Sequence, residues 1–252
     1  MLEERKPEEI ELMRIAGRIT ADTLELVGKH AVPGISTKAL DKIAFEYIIS
    51  KGAKPNFLHY NGFPGTICTS IDDVVVHGFP RETDILKEGM ILSVDCGCSY
   101  KGWHGDAART FAIGNISEEK QKLINVTRES FYEGIKGIKD GSRIGDIGAQ
   151  VQTYVEKHGF SVVRDMVGHG IGRHLHEAPN VPNYGLRGTG AKLKAGNTIA
   201  IEPMVNAGSY KMRINGWDAR TLDGSPSAHY ENTVVITENG VEILTQPSGE
   251  DK

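Results

Sequence analysis

Apolar residues recur first at helical spacing. Between residues 7 and 29, Ile10, Met13, Gly17, Ala21 and Leu24 fall on one stripe. Pro7 suits a first helical turn, where its missing N–H has no partner to lose. Pro33-Gly34 ends this helix, and Ser36 or Thr37 offers the N-cap of a second. The second places Leu40, Ile43, Ala44, Tyr47 and Ile48 inward and stops at Gly52. Residues 53–66, rich in Pro, Gly and aromatics, read as loop, and strand-like runs follow at 66–76, 91–97 and 104–113. Helical spacing returns from Ser117 to about Lys139 through Leu123, Val126, Phe131, Ile135 and Ile138, and again from about 145 to 158 through Ile147, Val151, Tyr154 and Val155. Short strands are predicted near 160–164, 198–202, 232–237 and 241–245, the last two joined as a hairpin across Glu238-Asn239-Gly240.

Two helices, strands, two helices, strands: the order predicts an α+β fold of two similar halves, each with helices on one side of an antiparallel sheet. No linker or compositional shift divides the chain. Residues 1–252 therefore read as one domain, with an N-terminal helical segment of about residues 1–52 packed on it. At 252 residues a full core is within reach. The net charge of −4, without a basic run, argues against specific nucleic-acid binding. Cys68, Cys96 and Cys98 are too few and odd in number for a disulfide framework, and Cys96-Gly97-Cys98 has no partner pair to complete a zinc site; reduced, buried thiols are expected. The charged start MLEERKPEEIELMR lacks a signal-peptide apolar region and no apolar run is long enough to span a membrane, so a cytoplasmic protein is expected. Gly188-Thr-Gly190-Ala-Lys192 lacks the spacing of a phosphate-binding loop.

The chemistry begins with two aspartates. ILSVDCG (91–97) and WHGDAARTF (103–111) read as paired strands. A hairpin centred between Tyr100 and Lys101 would set Asp95 directly opposite Asp106, with Cβ atoms about 4.5–5.5 Å apart, a placement that like charges disfavour unless a cation lies between them. Val94, Ala107 and Ala108 beside them are small or apolar, which points to a buried face. In MVGHGIGRHLHEAPN (166–180), His169 is wrapped in glycines that let backbone approach closely, and His174 and His176 follow. Which of these three binds metal is not legible from the segment itself. Glu202 ends the apolar strand NTIAIEP and Glu231 opens another in HYENTVVIT; a carboxylate in an apolar strand is costly unless paired or coordinated. Four carboxylates and one neutral imidazole carry a charge that two divalent cations balance. Oxygen donors with a single nitrogen suit Mn, Fe(II), Co or Zn. Two-metal hydrolytic sites hold their ions about 3.5–4 Å apart and lower the pKa of a shared water.

The ordered set VVVHGFP (74–80), SVDCG, WHGDAARTF, GHGIGRHLHEAP, AIEPM and HYENTVVIT resembles the type I methionine aminopeptidases over nearly the whole chain. The resemblance implies the pita-bread fold, two pseudo-symmetric halves around a dinuclear site, and removal of the N-terminal methionine from nascent proteins and peptides with a small second residue. It implies Asp95, Asp106, His169, Glu202 and Glu231 as ligands of two divalent metal ions, with Asp106 and Glu231 bridging and Glu202 also shuttling a proton. His176 would hydrogen-bond the scissile amide and His77 would assist near the new amine, while His174 matches no role. The methionine pocket would come from Tyr60, Phe63, Cys68, His77 and Trp217, an aromatic and soft-walled slot suited to a thioether. Leu175 stands where the family commonly has Phe, which would soften one wall. A monovalent cation near Asp72, Val74 and Ser227 is a further implication. The 26-residue interval from His176 to Glu202 leaves no space for the type II insertion, so the short, bacterial-like form is expected. A monomer is expected, with transient ribosome contact and no membrane partner. The alternatives are a pita-bread enzyme that cuts before proline (an X-Pro aminopeptidase or prolidase), which shares the five ligands, and a non-catalytic peptide-binding module of the same fold.

Overall fold

The computed structural model describes residues 2–249; Met1 and residues 250–252 lie outside the described residues. Helix α1 (Pro7–His30) buries Met13, Gly17, Ala21 and Leu24 of the predicted stripe, with Ala16 and Val27 beside them, while Ile10 is partly buried. Helix α2 (Thr37–Ser50) is capped by Ser36, whose Oγ accepts from the Ala39 N–H at 3.1 Å. A short β1 (Lys54–Pro55) precedes β2 (Ile67–Ile71) and β3 (Val74–Val76). The run predicted as one strand over 66–76 is thus two, broken at Asp72, which takes φ 47°. Next come β4 (Ile91–Tyr100) and β5 (Trp103–Ala112), then α3 (Glu118–Ile135) and α4 (Ile144–Lys157). Helix α3 ends four residues short of the predicted Lys139, because Lys136 turns extended and Gly137 takes φ 73°; Ile138 is nonetheless buried. The remaining strands are β6 (Ser161–Val162), β7 (Gly168–Gly170), β8 (Glu177–Val181), β9 (Thr198–Ile201), β10 (Met204–Asn206), β11 (Met212–Asn215), β12 (Asp218–Thr221), β13 (Ser227–His229), β14 (Glu231–Ile236) and β15 (Val241–Ile243).

The main sheet has nine strands in the order β1-β4-β5-β14-β9-β7-β8, with β2 beside β4 and β15 beside β14; every pairing is antiparallel. Its two halves meet at a short seam, where Glu231 pairs with Ala108 and Asn232 with Ala107. One core holds Leu24 and Val27 of α1 and Leu40 and Ile48 of α2 against Ile67, Leu92, Val94 and Cys96. The other holds Leu123, Phe131, Ile147 and Val151 of α3 and α4 against Ile199, Ile201 and Val234. Each helix pair therefore covers its own half of the sheet. Two smaller three-stranded sheets, β13-β10-β6 and β11-β12-β3, complete the rim.

Glycine decides how closely α1 lies on the sheet. A Cβ on Gly17 would stand 2.3 Å from the Leu244 carbonyl oxygen, and one on Gly105 would stand 2.7 Å from the Gly17 nitrogen. Helix and strand backbones are in direct contact here, and no larger residue fits without shifting one of them.

Register then sorts the side chains. The β4–β5 turn is Lys101-Gly102, both with positive φ (50° and 81°), the requirement of a type I′ hairpin. Its true centre pairs Tyr100 with Trp103, Gly97 with Asp106 and Asp95 with Ala108. The expected direct opposition of Asp95 and Asp106 is therefore off by two residues. The shift is even, so the two carboxylates stay on one face, as diagonal neighbours. Leu92, Val94, Cys96 and Cys98 take the other face, towards α1 and α2.

Candidate active site

The same parity carries across the seam. Glu231 stands opposite Ala108, hence on the face of Asp95 and Asp106. Thr233 pairs with Ala200, and Ala200 with His169, which brings the imidazole onto that face too. Glu202, two residues beyond Ala200, follows in alternation. Five chemically active side chains from β4, β5, β7, the end of β9 and β14 thus converge because strand register leaves them no other side.

Ligand atoms of Asp106, His169 and Glu231 lie within 4.8 Å of one another. His169 Nε2 is 3.8 Å from Asp106 Oδ2 and 3.6 Å from Glu202 Oε1. His169 Nδ1 donates to the Gly170 carbonyl at 2.9 Å, which leaves the Nε2 lone pair facing the carboxylates, the tautomer a metal ligand needs. Burial drives the charge states. It pushes Asp95 up to about 7 and Asp106, Glu202 and Glu231 well above the usual carboxylate range, with mutual repulsion adding to the last three. It lowers His169 to about 4, with His176 contributing. Asp95 Oδ1, Asp106 Oδ1 and Glu231 Oε1 are buried with no hydrogen-bond partner. Buried carboxylate oxygens without donors, around an imidazole held neutral, fit divalent cations.

All five of these residues line one cavity of about 380 Å³, together with Tyr60, Phe63, Cys68, His77, His176 and Trp217. Every residue assigned from the sequence to the divalent metals, catalysis or the methionine pocket therefore lines it, while Asp72, Val74 and Ser227, assigned to a monovalent cation, do not. The slot is closed at its base, where Phe63 and Cys68 are buried, and open at its mouth, where Trp217 and Tyr60 are partly exposed. Trp217 meets Phe63 edge to face at 5.2 Å between centroids. The Tyr60 hydroxyl and His176 Nδ1 share a hydrogen bond of 3.0 Å, and the His176 ring centroid lies 4.3 Å from that of His169. His77 holds φ 62°, a strained conformation for a side chain of its size, and Gly78 beside it packs against the Thr69 carbonyl. Burial lowers both His77 and His176 from the ordinary histidine value.

Some expectations change. Leu175 does not line the cavity; it is buried behind it with Phe57, Phe63 and Cys68, so it backs the slot and is not one of its walls. The His174 ring does not line the cavity; its backbone is used instead, the N–H donating to Glu177 Oε1 at 2.9 Å and the carbonyl accepting the Gly172 N–H at 3.1 Å. Asp72 and Ser227 are neighbours, the Ser227 N–H donating to the Asp72 carbonyl at 2.8 Å. The Asp72 carboxylate, however, is already paired with Lys120 Nζ at 2.6 Å. The three cysteines are free and buried, as expected. Phe57, Asn61 and His229 were missed. Phe57 and Asn61 lie in the loop that gave no periodic signal, and both line the cavity. His229 is buried, with Nε2 at 4.0 Å from Glu202 Oε2 and 3.9 Å from Glu231 Oε2. Its place two residues before Glu231 was the available signal.

Comparison with known proteins agrees with this geometry. Residues 11–238 match Metallopeptidase family M24. A methionine aminopeptidase of Clostridium perfringens is 54% identical over 239 residues, 94% of this chain and 96% of that protein. The crystal structure of a methionine aminopeptidase from Thermotoga maritima superposes with a TM-score of 0.96 at 46% identity, covering 98% of this chain and 100% of the other. A prolidase from Pyrococcus furiosus, 22% identical, covers 96% of this chain and 65% of its own with a TM-score of 0.76, a likeness of fold alone. The α+β architecture is the pita-bread fold these structures share. The chain belongs to metallopeptidase family M24 and, within it, to the bacterial-type methionine aminopeptidases.

Proposed function

We propose that this protein removes the N-terminal methionine from peptides and nascent proteins, with Asp95, Asp106, His169, Glu202 and Glu231 holding two divalent ions and a small second residue preferred. One observation carries the reading: the five ligands share a cavity with an aromatic and thiol-lined slot of the kind a thioether side chain fills. Asp95, Asp106, His169, Glu202 and Glu231 would hold the ions between them; ligand atoms of Asp106, His169 and Glu231 lie within 4.8 Å of one another, and His169 Nε2 is 3.6 Å from Glu202 Oε1. When bound, the ions supply a water of lowered pKa and polarise the substrate carbonyl; Mn, Fe(II), Co and Zn all suit the donor set.

The chain's own residues do the rest. Tyr60, Phe63, Cys68 and Trp217 enclose the methionine side chain and set the scissile bond over the carboxylates. Glu202 accepts the proton of the attacking water and passes it on. His176, oriented by Tyr60, donates to the scissile amide and to the developing oxyanion. His77, in the same cavity, assists the departing amine. Any monovalent cation near Asp72, Val74 and Ser227 would rely on backbone carbonyls, since Lys120 already neutralises the Asp72 carboxylate. Residues 1–252 act together as one catalytic domain.

The test is a pair of variants. Asp106→Ala should bind no metal by elemental analysis and show no activity. His176→Ala should keep its metal and lose about 10²–10³ in kcat, the scale of one oxyanion donor. Substantial activity in Asp106→Ala would remove the site from consideration.

A further inference from the structure

Arg5, ahead of the first helix, is among the most buried charged residues of the chain, its side chain only 4% exposed. The arm that carries it is tethered independently of the guanidinium. The Arg5 N–H donates to the Gly196 carbonyl at 2.8 Å, Asn197 Nδ2 to the Glu3 carbonyl at 3.1 Å, and Lys194 pairs with Glu4 at 2.8 Å. The guanidinium reaches inward, past Trp103 (5.4 Å to the ring centroid), to Thr198 Oγ1 at 3.4 Å and to the Glu177 carboxylate.

Glu177 follows His176 directly. One of its oxygens, Oε1, accepts the His174 N–H at 2.9 Å, while Oε2 takes Nη2 of Arg5. The carboxylate therefore clasps the turn that presents His176, and Arg5 fixes the carboxylate. The turn also lies directly on the guanidinium: a Cβ on Gly172 would stand 2.3 Å from Arg5 Nη2. At the turn's other end, the His104 N–H holds the Gly172 carbonyl at 3.0 Å. Remove the guanidinium, and the arm gives up its Glu3–Arg5 pair but keeps its other tethers, while Glu177 is left with the His174 N–H alone and the turn loses its floor.

We propose that Arg5 is a positioning residue, acting through Glu177 to hold His176 in its catalytic orientation. This rests on His176 acting at the scissile amide, as set out above. The test is a double-mutant cycle on the metal-loaded enzyme, with kcat, KM and metal affinity by calorimetry for Arg5→Ala, Arg5→Lys, His176→Ala and the Arg5→Ala/His176→Ala pair. Displacing a catalytic group by an ångström can cost on the order of a hundredfold. Arg5→Ala should accordingly lower kcat about tenfold to a hundredfold, with KM and metal affinity within about twofold of wild type. Arg5→Lys, which keeps a charge for Glu177 but loses the fork geometry, should recover part of the loss. In the His176→Ala background Arg5→Ala should cost nothing further. An equal loss in both backgrounds, or unchanged kcat in Arg5→Ala, overturns the positioning role. Wild-type kcat in His176→Ala itself would instead overturn the reading of His176. Should Arg5→Ala fail to fold, Glu177→Gln takes its place in the cycle with the same expectations.

Discussion

At the scale of the residue, charge is the controlling quantity. Without metal, the folded carboxylates resist ionisation: Asp95 is raised to about 7 and Asp106, Glu202 and Glu231 are raised well beyond their usual value. The imidazoles resist protonation, with His169 lowered to about 4 and His229 to about 3, and His77 and His176 also lowered. The sign of the pH dependence follows from linkage. Between the ordinary carboxylate and histidine values, the folded carboxylates keep protons that the unfolded chain has released, so they make stability fall with rising pH. Over the same range the folded imidazoles lack protons that the unfolded chain holds, so they make it rise, and the two groups oppose. Above the ordinary histidine value of 6.5 the imidazoles are neutral in both states and only the carboxylates count. The melting temperature of the chelated protein should therefore fall between pH 6.5 and about 8.5, and added Mn(II) should flatten the slope. A flat or rising curve for the metal-free protein would contradict the assignment. Gly97 tests the same centre sterically. A Cβ there would stand 2.9 Å from Asp106 Oδ1 and 3.2 Å from the Phe57 ring, so Gly97→Ala should weaken metal binding about tenfold or more by calorimetry.

At the scale of the element, burial by helical stripe makes a plain stability prediction. Leu123 in α3 is fully buried, and Leu123→Ala should cost about 2–5 kcal/mol in denaturant unfolding while activity per folded molecule is kept. The long helices and the β4–β5 hairpin were legible in the sequence because their periodicity is carried by many residues. Helix α1 ends at His30, one residue from the predicted boundary, and Ser36 caps α2 as expected. What escaped was short or set by turn chemistry. The three-residue strands β7, β10 and β13 give too few positions for alternation to register, and β8 and β11 carry little burial. The hairpin centre was displaced because Lys101 adopts positive φ, a conformation its residue type does not announce. The site survived that error because an even register shift keeps side chains on the same face.

At the scale of the whole molecule, two helix-covered half-sheets meet at the narrow β5–β14 seam, and the active residues come from both sides of it. Motif and alternation were enough to bring the five proposed ligands onto one face. Identification of what surrounds them needed the fold: Phe57 and Asn61 reach the cavity from an aperiodic loop, and Arg5 reaches the His176 turn from more than 160 residues away in sequence. Among the described residues, no helix is long and apolar enough to cross a membrane. A centre closed at its base and open beside Trp217 suits the end of a peptide chain. Trp217→Ala should accordingly raise KM for a methionyl peptide several-fold while leaving metal content unchanged. The most direct measurement is to strip the protein with a chelator, supply Mn(II) or Co(II), and follow a Met-Ala-Ser peptide and a Gly-Pro peptide by mass spectrometry. Metal-dependent release of methionine alone is the predicted result. Cleavage only before proline, or no cleavage of either peptide with metal bound, would contradict it.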